Sequence, residues 1–330
     1  MWRKSKRKFA VPALLTFVLA AAAQNPPPQK DEQGTETFKV SVDVVNVFFN
    51  VKGDHGALIS GLQKDDFTLS EDGSPQTIKY FSAESNQPLT LGMMIDTSGS
   101  QRRLLPMEKE VGSSFLREVL REKDLAFVIS FDVDVNLLQD YTSNPRELRA
   151  GLERAHINSG TSGIMFPGTG GDTVPNRHPR GTVLFDAVYV AAREQLAQEA
   201  GRKAMILLTD GADFGSRVKL EEAIEAAQKA DTICYVLLLV DQSAYGFAYP
   251  GSGDVKKLAE QTGGRMIDVG SNPQKLKEAF DQISNELRSQ YNIGYTSTNT
   301  QRDGSFRKIE IKSRKGHKIQ SRRGYYARSQ

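Results

Sequence analysis

Three short segments carry side chains able to hold a hard cation. Asp96-Thr97-Ser98-Gly99-Ser100 and Thr209-Asp210-Gly211 each follow an apolar run, and Gly181-Thr182 opens a helical stretch after a long loop. Asp96, Ser98, Ser100, Thr182 and Asp210 offer only oxygen, as two carboxylates and three hydroxyls. Ions such as Mg²⁺ prefer such donors, take few carboxylates and keep positions for water or an external oxygen. The D-x-S-x-S spacing puts three of these side chains on one tight loop ahead of a helix. Asp and Ser also cap helices and form turns, so D-T-S-G-S alone reads equally as a cap; the set of three segments is what points to an ion. Thr182 has competing readings, as a cap for the helix from Val183 or with Thr161, Thr169 or Thr173 as the ligand instead. Asp213 reads as solvated.

Other chemistries find less support. Gly168-Thr169-Gly170-Gly171 lacks the G-K-[ST] ending of a phosphate loop, and no G-x-S-x-G elbow is present. His55, His156, His178 and His317 are scattered without ligand spacing. The single cysteine, Cys234, lies in an apolar run and reads as a small buried hydrophobe. It cannot form an intramolecular disulfide, and no C-x-x-C pair exists to hold zinc.

The elements that must position the oxygen ligands follow from hydrophobic patterning. Leu89 to Ile95, Leu125 to Phe131, Ala204 to Leu208 and Ile233 to Val240 are apolar without alternation, as strands covered on both faces are. Helical spacing separates them: Val111, Phe115 and Val119; Leu184, Val188 and Ala191; Leu220, Ala223, Ile224 and Ala227; Leu276, Phe280, Ile283 and Leu287. Asn272-Pro273 starts the last of these helices. The expected fold is α/β, a doubly wound, mostly parallel sheet wrapped by helices. Ligands in such a sheet sit outside the carboxyl ends of the strands, where Asp96 and Asp210 fall.

The flanks differ. Phe38 to Val51 alternates with a phase slip at Val44-Val45, the pattern of a β-bulge, and Glu71-Asp72-Gly73 marks a turn between short β runs. After Gln290, alternation returns through Tyr291, Ile293 and Tyr295, then Ile309 and Ile311, then Tyr325-Tyr326. The expected organisation is a β segment at 38–86, an α/β domain at 87–285 and a second β segment at 286–330 packing with the first. Basic residues between Arg302 and Arg323 read as the solvent face of edge strands.

The α/β region resembles a von Willebrand factor type A (VWA) domain over roughly residues 87–285, on D-x-S-x-S, the helix-opening Thr and T-D-G in the family's order. The resemblance implies a Rossmann-like fold and a metal-ion-dependent adhesion site in which Asp96, Ser98, Ser100, Thr182 and Asp210 hold a divalent cation, Mg²⁺ first, with Mn²⁺ or Ca²⁺ as alternatives. It also implies protein binding rather than turnover, with a partner carboxylate completing the coordination. The flanks are similar to a bacterial secreted, VWFA-related group common in acidobacterial genomes, through Glu71 to Ile78 and the R-x-GYYA ending at Ala327.

Five basic residues (Arg3, Lys4, Lys6, Arg7, Lys8) precede an apolar run from Phe9 to Ala23 that ends in four alanines. This is the layout of a secretory signal over 1–23, and Pro-rich 24–37 reads as a tether; an uncleaved anchor is the alternative. The formal charge of +3 resides in that signal, since the remainder holds 38 basic against 40 acidic residues. A nucleic-acid footprint is therefore unsupported. No later segment is long and apolar enough to span a membrane.

The sequence-based reading is a secreted, periplasmic or envelope-associated protein-binding module, not an enzyme, that takes an acidic side chain of its partner at the ion. A metal-dependent hydrolase and a scaffold with a purely structural ion are the competing readings. The Gly- and Pro-rich loop at 158–180 and the aromatic residues Tyr245, Phe247 and Tyr249 are the expected partner-binding rim.

Overall fold

The computed structural model describes residues 44–83, 87–157, 181–241 and 252–329. The signal and tether, the start of the first β run at 38–43, the loop at 158–180 and the aromatic trio Tyr245, Phe247 and Tyr249 lie outside the described residues.

Four strands come first: β1 (Val44–Lys52), β2 (Phe67–Glu71), β3 (Ser74–Gln76) and β4 (Tyr80–Ser82). The α/β part then runs β5 (Leu89–Asp96), α1 (Leu105–Val119), β6 (Leu125–Phe131), β7 (Val135–Thr142), α2 (Pro145–Arg154), α3 (Leu184–Val190), β8 (Arg202–Thr209), α4 (Leu220–Lys229), β9 (Thr232–Leu238), α5 (Gly253–Thr262), β10 (Met266–Asp268) and α6 (Pro273–Arg288). Four strands close the chain: β11 (Tyr291–Thr296), β12 (Phe306–Ser313), β13 (Lys318–Ser321) and β14 (Gly324–Tyr326). Asn272 caps α6 by accepting from the amides of Gln274 and Lys275. That helix runs to Arg288, past the boundary expected at 285.

The central sheet has six strands in the order β10-β9-β8-β5-β6-β7. All neighbours are parallel except β6 and β7. The apolar runs lack alternation because both faces are covered. Leu91, Met93 and Ile95 of β5 pack with Phe115, Leu148 and Phe280 of α1, α2 and α6. Met94 packs on the opposite face with Leu184, Ile224 and Leu258 of α3, α4 and α5. The chain builds outward from β5 through β6 to β7, then crosses to β8 and builds the other way. The gap between the carboxyl ends of β5 and β8 is thus the switch point where such sheets open a crevice.

The flanking strands share two antiparallel sheets, β13-β1-β11-β4 and β14-β12-β2-β3. Val47 pairs with Ile293 across β1 and β11, and Leu69 with Ile311 across β2 and β12. The inward residues Val47, Phe49, Phe67, Leu69, Tyr291 and Ile309 form one apolar cluster between the sheets, with the Phe49 and Phe67 rings edge to face at 5.1 Å. Asp72 and Gly73 both take positive φ in the two-residue turn from β2 to β3, the conformation that favours Asp-Gly at a hairpin.

The basic run near the C-terminus is solvent-facing at Lys308, Lys312, Arg314, Lys315, Lys318 and Arg323, and departs from expectation at two positions. β12 is flanked by β14 and β2 and is not an edge, and Arg307 and Arg322 are buried. Arg322 pairs with Asp231 and donates to the Asn46 carbonyl at 2.8 Å. In β12 Arg307 falls on the inward face with Ile309 and Ile311, while Lys308, Glu310 and Lys312 face outward.

Candidate functional site

β5 delivers Asp96 to the crevice as its last residue, and the chain turns at once into a short 3-10 segment, Gly99–Arg103, before α1. The carboxylate is fully buried. One oxygen accepts from the Ser98 amide at 2.9 Å and the other from the Thr209 hydroxyl at 2.7 Å. The Ser98 and Ser100 hydroxyls lie 3.0 Å apart, and Ser100 donates to Asp210 at 2.5 Å. Asp210 follows β8 and also accepts from the Ala212 amide at 3.1 Å. Gly211, at φ +82°, turns the chain there, a conformation that costs other L-residues about 1–2 kcal/mol. Asp96, Ser98, Ser100 and Asp210 therefore meet across the β5–β8 switch point, linked by hydroxyls.

Thr182 is buried. Its carbonyl accepts from the Phe214 amide at 3.1 Å, and the Val183 amide donates to the Asp132 carbonyl at 2.7 Å. These bonds fix the backbone between the β6 and β8 loops. Among the described residues no hydrogen bond joins the Thr182 hydroxyl to the other four. Nor does Thr182 cap α3. That task falls to Ser216, which accepts from the amides of Phe185 and Asp186, and to Asp213, which accepts from Phe185. Asp213 is thus a helix cap and not the solvated carboxylate expected.

Burial pushes the Asp96 carboxyl up to about 7, and the negative charge of Asp210 adds to the effect. A third acid shares the environment. Glu108, in the first turn of α1, is fully buried, and neither carboxylate oxygen has a hydrogen-bond partner. Burial, and then the charges of Asp96 and Asp210, hold it well above the usual carboxylate range. Among the described residues no Lys, Arg or His forms an ion pair with Asp96 or Glu108. Sequence reasoning missed Glu108, although a signal existed: it lies on the buried stripe Leu105, Glu108, Gly112, Phe115 and Val119, where a charge is out of place. Thr209 was also missed as a partner of Asp96.

The donor chemistry suits a hard divalent ion. Among the described residues no group of three His, Cys, Asp or Glu side chains is placed to hold a metal by itself; an ion here would need hydroxyls such as those of Ser98 and Ser100 beside the carboxylates. Cys234 is buried, its thiol pushed up to about 12 by desolvation; it is a core residue. On the rim, Phe214 is 64% exposed, on the same loop as Asp210 and bonded through its amide to Thr182.

No family model matches the chain, and no curated protein matches it. Solved structures do. The conserved hypothetical protein BatB from Bacteroides thetaiotaomicron is 19% identical, over 61% of this chain and 100% of that one, with a TM-score of 0.47. A von Willebrand factor type A structure from Catenulispora acidiphila is 13% identical, over 87% of this chain and 73% of that one, with a TM-score of 0.47. The vWF domain of the type V pili tip protein Mfa5 from Porphyromonas gingivalis is 13% identical, over 62% and 96%, with a TM-score of 0.42. The chain is similar to VWA structures. The likeness concerns the fold, a mixed α/β architecture around a mostly parallel sheet, and the strand order of this chain defines that fold independently. Among the described residues no helix is long and apolar enough to cross a membrane.

Proposed function

We propose that the carboxyl edge of the central sheet binds a divalent cation through Asp96, Ser98, Ser100, Thr182 and Asp210, in the manner of a metal-ion-dependent adhesion site, and that the bound ion captures a carboxylate of a partner protein. The observation that carries this reading is the convergence at one strand edge of the buried Asp96 carboxylate, which no cation of the described chain neutralises, with Asp210 and the Ser98 and Ser100 hydroxyls. A carboxylate buried without a counter-charge is expensive, and a divalent ion is the counter-charge that this donor set fits. Two Asp ligands balance the ion's charge but leave it open coordination positions. An incoming carboxylate gains a direct bond there, and Phe214, with the loops at 158–180 and 242–250, would supply selectivity around it. Mg²⁺ is the preferred ion, with Mn²⁺ or Ca²⁺ as alternatives. We further read 38–86 and 286–330 as one β unit carrying the α/β part, in a protein exported by the segment at 1–23.

Titrating Mg²⁺ and Mn²⁺ into the wild type and Asp96→Ala tests the site. The expected result is saturable binding and a raised melting temperature in the wild type only. An identical response of the two proteins would overturn the site. Capture of a binding partner from envelope extract, with and without chelator, then tests whether the ion serves adhesion.

A further inference from the structure

Glu108 is placed where a carboxylate has no local reason to be. α1 starts beside the carboxyl edge of the sheet and turns Leu105, Glu108, Gly112, Phe115 and Val119 inward. A leucine at 108 would continue that face. The carboxyl instead is 0% exposed, and among the described residues neither of its oxygens has a polar partner. Protonation does not resolve this, because an acid O–H would need an acceptor and none is within reach. After burial, the charges of Asp96 and Asp210 are what act on Glu108, and its helix starts right after the loop that carries Ser98 and Ser100.

A second side chain shows the same deficit. Gln101, one residue after Ser100, is 1% exposed. Its amide nitrogen donates to the Leu239 carbonyl at 3.2 Å, while its Oε1 has no donor. Two buried side chains, one in the 3-10 segment and one in the helix that follows it, thus present acceptors without donors among the described residues, and buried polar groups of native proteins are normally satisfied. Glu108 does not join Asp96 and Asp210 closely enough for the three to grip one ion.

We propose that Glu108 is a positioning residue of the cation site, accepting hydrogen bonds from water molecules that the ion carries on its protein side, with Gln101 Oε1 as a second acceptor. Water on a divalent ion is a strong donor, and its two protons match acceptors that are otherwise orphaned. Groups of this kind orient the ligands of an ion and tune its affinity. The inference rests on the reading that this edge binds a divalent cation.

Mn²⁺ alone is the probe, titrated by calorimetry into the wild type, Glu108→Gln, Glu108→Leu and Gln101→Leu. Melting temperature in chelator and water-proton relaxation of bound Mn²⁺ are recorded beside it. Removal of such a residue is expected to weaken Mn²⁺ by about 10–100-fold, with Glu108→Leu weaker than Glu108→Gln and with altered relaxation of the remaining complex. Melting temperature in chelator should be unchanged or higher, which separates this role from a structural one. Gln101→Leu, with a smaller loss, keeps the test decisive should either Glu108 variant fail to fold. Variants that all bind Mn²⁺ like the wild type with unchanged relaxation would overturn the role of Glu108 and leave the cation site standing. A wild type that binds no Mn²⁺ would overturn both.

Discussion

Glu71 and Glu108 are both carboxylates removed from water, in surroundings that could hardly differ more. Glu71, at the end of β2, accepts from the hydroxyls of Tyr295 at 2.7 Å, Tyr325 at 3.0 Å and Ser297 at 2.5 Å. The buried Arg307 stands 3.5 Å away. Glu286, at the end of α6, is similarly held by Lys52 at 2.9 Å and Arg265 at 2.7 Å. Glu71 in the antiparallel sheets and Glu286 on α6 thus each have a cation within the chain. At the carboxyl edge of the parallel sheet, Asp96 has only neutral donors and Glu108 has none. The first arrangement is balanced in charge within the chain and stabilises a fold. The second is incomplete and stores unfavourable energy that a ligand can relieve, which is how a binding site differs from a structural network.

The contrast is sharpest where a partner is deleted. Arg307→Met should destabilise the protein by about 3–5 kcal/mol, because it leaves Glu71 buried without its cation. Urea denaturation should give the same loss with and without Mg²⁺; a loss that Mg²⁺ repairs would contradict the distinction between the two regions. Addition of ion should act in the opposite sense at the other site. At 100 times its dissociation constant, Mg²⁺ or Mn²⁺ should raise wild-type stability by about 2.7 kcal/mol and leave Asp96→Asn unmoved, as thermal melts with and without chelator would show.

The two regions should also part in their response to pH. The Asp96 carboxyl lies above its ordinary 3.8, at about 7, so the folded state holds its proton more tightly than the unfolded state. Its contribution to stability is therefore full at low pH and falls as pH rises from about 4 to about 7, then levels. In chelator this part of the melting profile should disappear in Asp96→Asn. Saturating Mg²⁺ should offset the fall in the wild type, because the ion binds the ionised form. A fall of equal size in Asp96→Asn would assign it elsewhere.

Smaller effects follow from the loop after β8. Gly211→Ala should cost about 1–2 kcal/mol through its left-handed conformation and lower Mn²⁺ affinity by displacing Asp210, both readable in one calorimetric series. Phe214→Ser should change stability by no more than about 0.5 kcal/mol, as surface substitutions usually do, yet weaken capture of a protein partner. Unchanged capture would remove Phe214 from the rim.

How much of this was legible varies from residue to residue. D-T-S-G-S and T-D-G are local signals, and the strand that precedes each one says where it must lie in the sheet. Thr209 was hidden because its side chain serves Asp96 across 113 residues. Arg307 shares the inward face of β12 with Ile309 and Ile311, so its place in the alternation marked it as buried, but only folding brings it to Glu71, 236 residues away. Glu108 was masked by its neighbours Lys109 and Glu110, which give the helix a charged appearance, although its position on the apolar stripe marked it.

The sequence by itself determined the parallel sheet, because runs apolar on both sides can be stable only when covered by helices. It also determined the kinds of donor at the crevice, because the ligands are short polar residues fixed on tight turns beside strand ends. Tertiary structure decided which charges are paired. The cost of a buried carboxylate depends on what stands within a few ångströms, and those neighbours come from parts of the chain that have no proximity until it folds.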